Sequence, residues 1–215
     1  MPVKFDRNLL PAAPDLSFEA HLWSVGIFYL AGIDEAGRGA LAGPVAAGAV
    51  ILPVDLGLTE TLRGVRDSKE MTPAQREYWA GRLPDVAITC GVAFASAREI
   101  DETGILPATR LAIRRALEFL SVSPQHLLVD YLEIPECEIP QTALIKGDAR
   151  SLSIAAASIL AKTARDALLR QMDSQYPGYG FAAHKGYGTS AHLAAIQRLG
   201  PCPVHRKSFA PIRPD

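Results

Sequence analysis

Cysteine is scarce. The 215-residue chain has three, Cys90, Cys137 and Cys202, an odd number placed far apart. That excludes a disulfide framework and the close pairs of a structural zinc site, and it fits a reducing compartment. Long apolar runs are lacking too: residues 45–52 and 154–161 are too short or too interrupted to cross a bilayer. The opening residues carry Asp15, Glu19 and His21, with no basic start leading into an apolar block, so no secretory signal is expected. No internal repeat or low-complexity tract occurs. Net charge is small, −1, which argues against a protein that coats nucleic acid without specificity. The expectation is a soluble cytoplasmic protein.

What is present is ample apolar material, 48% of residues, enough for one large domain or a domain with a small appendage. Charge is unevenly spread. Residues 141–215 hold ten Lys/Arg against four Asp/Glu, and residues 1–140 hold twelve against nineteen. An acidic front and a basic tail suit an acid cluster beside an electropositive groove, although a solvated surface produces the same count.

Residues 28–34 and 45–52 are apolar and β-compatible and are joined by a Gly-rich connection, which predicts a hairpin. Residues 86–95 read as a third strand, with Pro84 marking its start. Short apolar runs at 126–131 and 142–145 suit buried strands. Helical spacing predicts a helix over 108–120. A second spans 151–175, with a first half apolar nearly all round and so buried against the sheet. A last helix covers 189–199, capped by Thr189 or Ser190 and stopped at Gly200-Pro201. Strands alternating with helices imply a mixed α/β sheet.

The stretch AGIDEAGRGALAG places Asp34 and Glu35 where a strand ends, with Arg38 as its one basic residue. Neighbouring strand residues face opposite ways, so both acids serve one site only where the strand ends or bulges; otherwise they are turn acids in solvent. Asp130 ends the apolar run LLVD, where an ionised group is costly unless it sits at a sheet edge or binds a cation. Asp148, in LIKGDARS, is a fourth acid, and an Asp before a helix also serves simply to favour the helix start. Four carboxylates without a His–Cys set favour hard divalent cations. Adjacent acids do not flank a glycosidic bond, so phosphodiester hydrolysis with Mg²⁺ or Mn²⁺ fits better.

HKGYGTSAH puts Lys185, Tyr187 and two glycines directly before a helix, a place that attracts anions. Tyr187 either presents its ring to a sugar or base or fills a structural niche. DSK, with Lys69, and HRKSF, residues 205–209, are polar loops able to touch a nucleic-acid backbone. GRG, residues 37–39, lacks the spacing of a dinucleotide-binding loop.

DEAGRGALAGPV, DSK, LLVD, IKGDARSLSIAAASILAKTARD, YPGYGFAAHKGYGT and HRKSF together resemble the type 2 ribonuclease H family, ribonuclease HII, in that family's order over about residues 30–210. The resemblance implies a ribonuclease H-like mixed sheet flanked by helices, with a C-terminal helical segment from about residue 170 and an N-terminal extension over 1–27. It implies a divalent-metal endonuclease, using Mg²⁺ or Mn²⁺, that cuts RNA in RNA–DNA hybrids. It also implies incision 5′ of a single ribonucleotide in duplex DNA, leaving 3′-hydroxyl and 5′-phosphate ends. By motif, Asp34, Glu35, Asp130 and Asp148 are the implied catalytic acids and metal ligands. Gly37, Arg38 and Gly39 are the implied readers of the ribose 2′-hydroxyl, and Tyr187 the residue that stacks on the following sugar. Lys69 and Lys185 join them as substrate-binding candidates. The expected partners are the hybrid and ribonucleotide-containing duplex DNA, with no membrane, and the expected state is a monomer.

Two departures stand out. Tyr131 follows Asp130 where the family usually has Gly, and DSKEM replaces the commoner DSKKL. Two rival readings differ in what they require: a noncatalytic binding module is expected to lack one or more of the acids, and a type 3 ribonuclease H to carry a further N-terminal domain.

Overall fold

A computed structural model of the chain describes residues 10–212. Residues 1–9 of the expected extension, and 213–215, lie outside the described residues. Helix α1 (Ser17–Ser24) leads into strands β1 (Leu30–Ala36) and β2 (Val45–Ile51), then a short helix α2 (Leu58–Thr61) and a 3-10 turn (Ser68–Glu70). Helix α3 (Pro73–Val86), strand β3 (Thr89–Ala95) and helices α4 (Ala97–Thr103) and α5 (Ile105–Glu118) follow. Strands β4 (His126–Asp130) and β5 (Gln141–Leu144) and a 3-10 turn (Gly147–Ala149) precede the long helix α6 (Leu152–Gln175). Helices α7 (Phe181–His184) and α8 (Ser190–Leu199) close the chain.

The sheet runs β3-β2-β1-β4-β5. β1 is antiparallel to β2 and parallel to β4, so the sheet is mixed, as expected. One apolar cluster joins Leu30, Val50 and Leu128 to α6 residues such as Ile154 and Ala157. The other joins Ile33, Ala49 and Val129 to Ala112 and Ile113 of α5. The fold is therefore helix, sheet, helix, with strand alternation dividing side chains between the layers. Two glycines let α6 lie directly on the strands. A Cβ at Gly32 would stand 2.2 Å from the Ser153 carbonyl carbon, and one at Gly48 would stand 2.4 Å from the Ala157 oxygen.

The third strand begins at Thr89, not Val86, and Pro84 lies inside α3. The helix starts at Pro73 behind a Thr72/Gln75 capping box. Proline near its far end forfeits one late hydrogen bond, so it does not terminate the helix.

α1 does more than fill space. Glu19 is fully buried, and its Oε1 accepts from Ser151 Oγ (2.6 Å), Ser153 N (2.9 Å) and Ser153 Oγ (2.7 Å). It thus satisfies donors at the start of α6. After α6, Tyr179, Phe181, Ala195 and Cys202 form a separate small cluster against Leu169. All three cysteines are free. Among the described residues no helix is long and apolar enough to cross a membrane.

Candidate active site

Asp34 and Asp130 reach one place because their strands are parallel neighbours. The register pairs Ile33 with Val129, so the next residue of each strand is the aspartate. Leu30 and Leu128 face α6, and Asp34 and Asp130 follow them in the same alternation. Asp148 arrives from the turn before α6. A carboxylate oxygen from each of Asp34, Asp130 and Asp148 lies within 4.8 Å of the others.

Glu35 stands apart from this trio. β1 pairs regularly with β2 through Ala36↔Ala46, without a bulge, so alternation turns Glu35 the other way. Its Oε1 accepts from Arg38 Nη1 at 3.0 Å, while Oε2 is buried and unpartnered. It still lines the same groove, about 840 Å³, with Asp34, Asp130, Lys69 and Tyr187.

The acids are held at an electrostatic cost. Burial, then the charges of Glu35 and Asp130, raises Asp34 well above the usual carboxylate range. Burial, then Asp148, pushes Asp130 up to about 6, although the Gly147 N–H donates to its Oδ1 at 2.7 Å. Burial and then Asp67 raise Asp148, whose Oδ1 is buried without a partner. Lys69 Nζ sits 3.3 Å from Asp148 Oδ2. Burial opposes its charge, but Asp67, Asp34 and Asp148 together raise its pKa. One exposed ammonium serves the three clustered carboxylates, and two buried oxygens stay unpartnered, Asp148 Oδ1 in the trio and Glu35 Oε2 beside it. That donor set fits a hard divalent cation.

The GRG loop borders the cluster. Gly37 has φ +93, and a Cβ there would lie 1.9 Å from Arg165 Nε, so glycine is required for the protein's own packing. Gly39 differs: a Cβ there would meet nothing within 4 Å. Nothing inside the protein demands glycine at 39.

Tyr187 is 37% exposed on the groove wall, with Lys162 Nζ 5.7 Å and Arg165 Cζ 5.6 Å from its ring centroid. Its carbonyl accepts from His192 Nδ1 at 3.0 Å. Because a carbonyl only accepts, Nδ1 carries the proton, and His192 Nε2 in turn accepts from His205 Nε2, 3.0 Å away. Lys185 is not brought to the acids. It lines an adjoining groove with Arg76, Lys162 and Arg170, and its amine is turned onto the Ala182 carbonyl.

Of the HRKSF segment, expected to be a polar loop able to touch a nucleic-acid backbone, His205 and Arg206 are buried, while Lys207 and Ser208 are exposed and Phe209 lines the groove. Arg206 donates to the carbonyls of Gly37, Arg38 and Gly43, and Arg165 to those of Ala42, Pro44 and Lys185. Sequence reasoning missed both arginines, since their partners are backbone atoms of remote loops. Tyr131, beside Asp130, has φ +59 and is two-thirds exposed. The backbone keeps a glycine-type conformation although the residue is tyrosine.

A mixed five-stranded sheet between helical layers, with carboxylates gathered where the central strands end, defines the ribonuclease H-like class of endonuclease. The family model for ribonuclease HII matches residues 31–212. Curated ribonucleases HII from Synechococcus sp. (strain JA-3-3Ab) and Dehalococcoides mccartyi (strain ATCC BAA-2266) are 54% and 48% identical. Those alignments cover 93% and 95% of this chain and 90% and 97% of the relatives. The crystal structure of the ribonuclease H2 from Pyrococcus horikoshii OT3 superposes with a TM-score of 0.71 at 29% identity, over 86% of this chain and 95% of that one. The chain belongs to the ribonuclease HII family, and it is a ribonuclease H endoribonuclease.

Proposed function

We propose that the protein incises 5′ of single ribonucleotides embedded in duplex DNA, and also cuts the RNA strand of RNA–DNA hybrids. The chemistry is phosphodiester hydrolysis assisted by Mg²⁺ or Mn²⁺, leaving 3′-hydroxyl and 5′-phosphate ends. The observation that carries this reading is the adjacency of the acid cluster, with oxygens within 4.8 Å of one another, to a glycine loop facing an open groove. Asp34, Asp130 and Asp148 would hold the cation, with Glu35 completing the set once Arg38 releases it. Bound there, a divalent ion supplies Lewis-acid stabilisation of charge developing on the phosphate and a more acidic water.

The remaining roles fall to the chain's own groups. Gly39 leaves room for a sugar to approach the backbone, where the 2′-hydroxyl distinguishes RNA from DNA. Tyr187 offers a ring face to the following sugar, backed by the Arg165 cation. Lys69 holds Asp148 in place and meets the backbone charge of the substrate, while Lys185, Lys162 and Arg170 line a path for phosphates beyond Tyr187. Three free cysteines fit a cytoplasmic enzyme that begins removal of ribonucleotides from DNA, acting as a monomer. The test is a duplex with one internal ribonucleotide, incubated with Mg²⁺ or with EDTA, and the cut mapped. The expected product is a single cut 5′ of the ribonucleotide in Mg²⁺ only; equal cutting in EDTA overturns the reading.

A further inference from the structure

Arg206 and Arg165 are both fully buried. Among the described residues neither forms an ion pair with a carboxylate. A buried charge is costly and is retained only where dense hydrogen bonding satisfies it. Here that bonding is to six backbone carbonyls. Burial, then the charge of Arg165, lowers the Arg206 guanidinium to about 9, which leaves it cationic at neutral pH.

The geometry of the Arg206 fork matters. Nη2 donates to the Gly37 carbonyl and Nη1 to the Arg38 carbonyl, each at 2.7 Å, and Nε donates to the Gly43 carbonyl at 3.0 Å. In a planar trans peptide the C=O of one residue and the N–H of the next point in opposite directions. Carbonyls 37 and 38 drawn inward onto Arg206 therefore turn the amides of Arg38 and Gly39 outward, into the groove. Neither amide has an acceptor among the described residues. The segment carrying Arg206 is itself tied down, because Asp101 accepts from Lys207 N (2.9 Å), Ser208 N (2.9 Å) and Ser208 Oγ (2.6 Å).

We infer that Arg206 is a positioning residue for substrate discrimination: from behind the loop, it aims the Arg38 and Gly39 amide donors at the ribose 2′-hydroxyl. This rests on the reading of the GRG loop given under Proposed function. A lysine cannot replace the fork, since one ammonium does not grip three carbonyls in a plane. A merely structural Arg206 would support all substrates alike.

The experiment compares wild type with Arg206→Lys in three measurements. These are kcat/KM on a duplex with one ribonucleotide, Ki of the all-DNA duplex of the same sequence as competitor, and melting temperature. Arg206→Lys is expected to lower kcat/KM by about tenfold or more, as for loss of oriented backbone donors, while Ki stays unchanged. A folded variant whose kcat/KM is retained, or whose kcat/KM and Ki weaken together, overturns the inference alone. Wild-type enzyme that treats the two duplexes alike overturns the 2′-hydroxyl reading, and the inference with it. Should Arg206→Lys not fold, the wild type supplies the test through ¹⁵N amide shifts. The Arg38 and Gly39 amides are expected to move on adding the ribonucleotide duplex and not the all-DNA duplex; equal responses to both overturn the inference.

Discussion

Replacing Asp130 with Asn should stabilise the metal-free protein. An unperturbed aspartate titrates near 3.9, whereas burial and Asp148 push Asp130 up to about 6. Each pH unit of displacement corresponds to about 1.4 kcal/mol, so keeping Asp130 ionised at pH 7 costs the fold about 3 kcal/mol. Asn removes that charge and, like the protonated acid, keeps a neutral acceptor for the Gly147 N–H, whose preference for the ionised form is already part of the shift. The gain is therefore about 3 kcal/mol, or about 6–12 °C in melting temperature for a domain of this size. The sign follows from linkage. Below about pH 4 the aspartate is protonated in the folded and unfolded chains alike, so the two proteins match. Between about pH 4 and 6 only the unfolded chain releases the proton, so wild type loses stability while the variant does not; above that the gap is constant. Thermal melts in EDTA across this range measure it. Saturating Mg²⁺ should raise wild type and close the gap, because the cation neutralises the repulsion. A variant melting at or below wild type at pH 7 in EDTA would refute the reasoning.

Gly39→Ala should leave the melting temperature within about 1 °C, since its Cβ meets nothing within 4 Å, yet lower incision at a single ribonucleotide about tenfold or more by blocking close approach to the backbone. Unchanged activity would show that nothing comes close there. Tyr131→Gly should stabilise the protein by about 0.5–1 kcal/mol, because φ +59 penalises a side chain by more than glycine's added chain entropy; denaturant melts check this, and a loss of stability would contradict it. Glu19→Ala strands the Ser151 and Ser153 donors in the core and should cost about 3 kcal/mol or more, so a change under about 1 kcal/mol in the same melts would return α1 to a packing role.

Much of this was legible in the chain, and the reasons are local. The buried first half of α6 shows in SLSIAAASILA, and Thr189 and Gly200 bracket α8 as capping chemistry requires. The carboxylates stood out because each ends an apolar run or precedes a helix. What stayed hidden depends on contacts across the chain. Nothing near Glu19 in the sequence marks it for the core, because its partners Ser151 and Ser153 lie more than 130 residues away. Arg206 reads as a nucleic-acid contact until the carbonyls of Gly37 and Arg38 claim it. Pro84 reads as the marker of a strand start, but it lies inside a helix fixed eleven residues earlier by the Thr72/Gln75 box and Pro73. Glu35 and Asp34 look like one unit in sequence, and only the regular β1–β2 pairing separates their faces.

The central claim is that a cation held by Asp34, Asp130 and Asp148 acts on the scissile phosphate. A sulfur placed at a nonbridging position of that phosphate, 5′ of a single ribonucleotide, tests it in single-turnover cleavage. Hard Mg²⁺ binds sulfur poorly and Mn²⁺ tolerates it better. The expected result is that one of the two diastereomers is cut about tenfold or more slowly in Mg²⁺ and recovers in Mn²⁺. Equal Mg²⁺ rates for oxygen and both sulfur substrates, with no gain from Mn²⁺, would contradict direct contact between the cation and the phosphate.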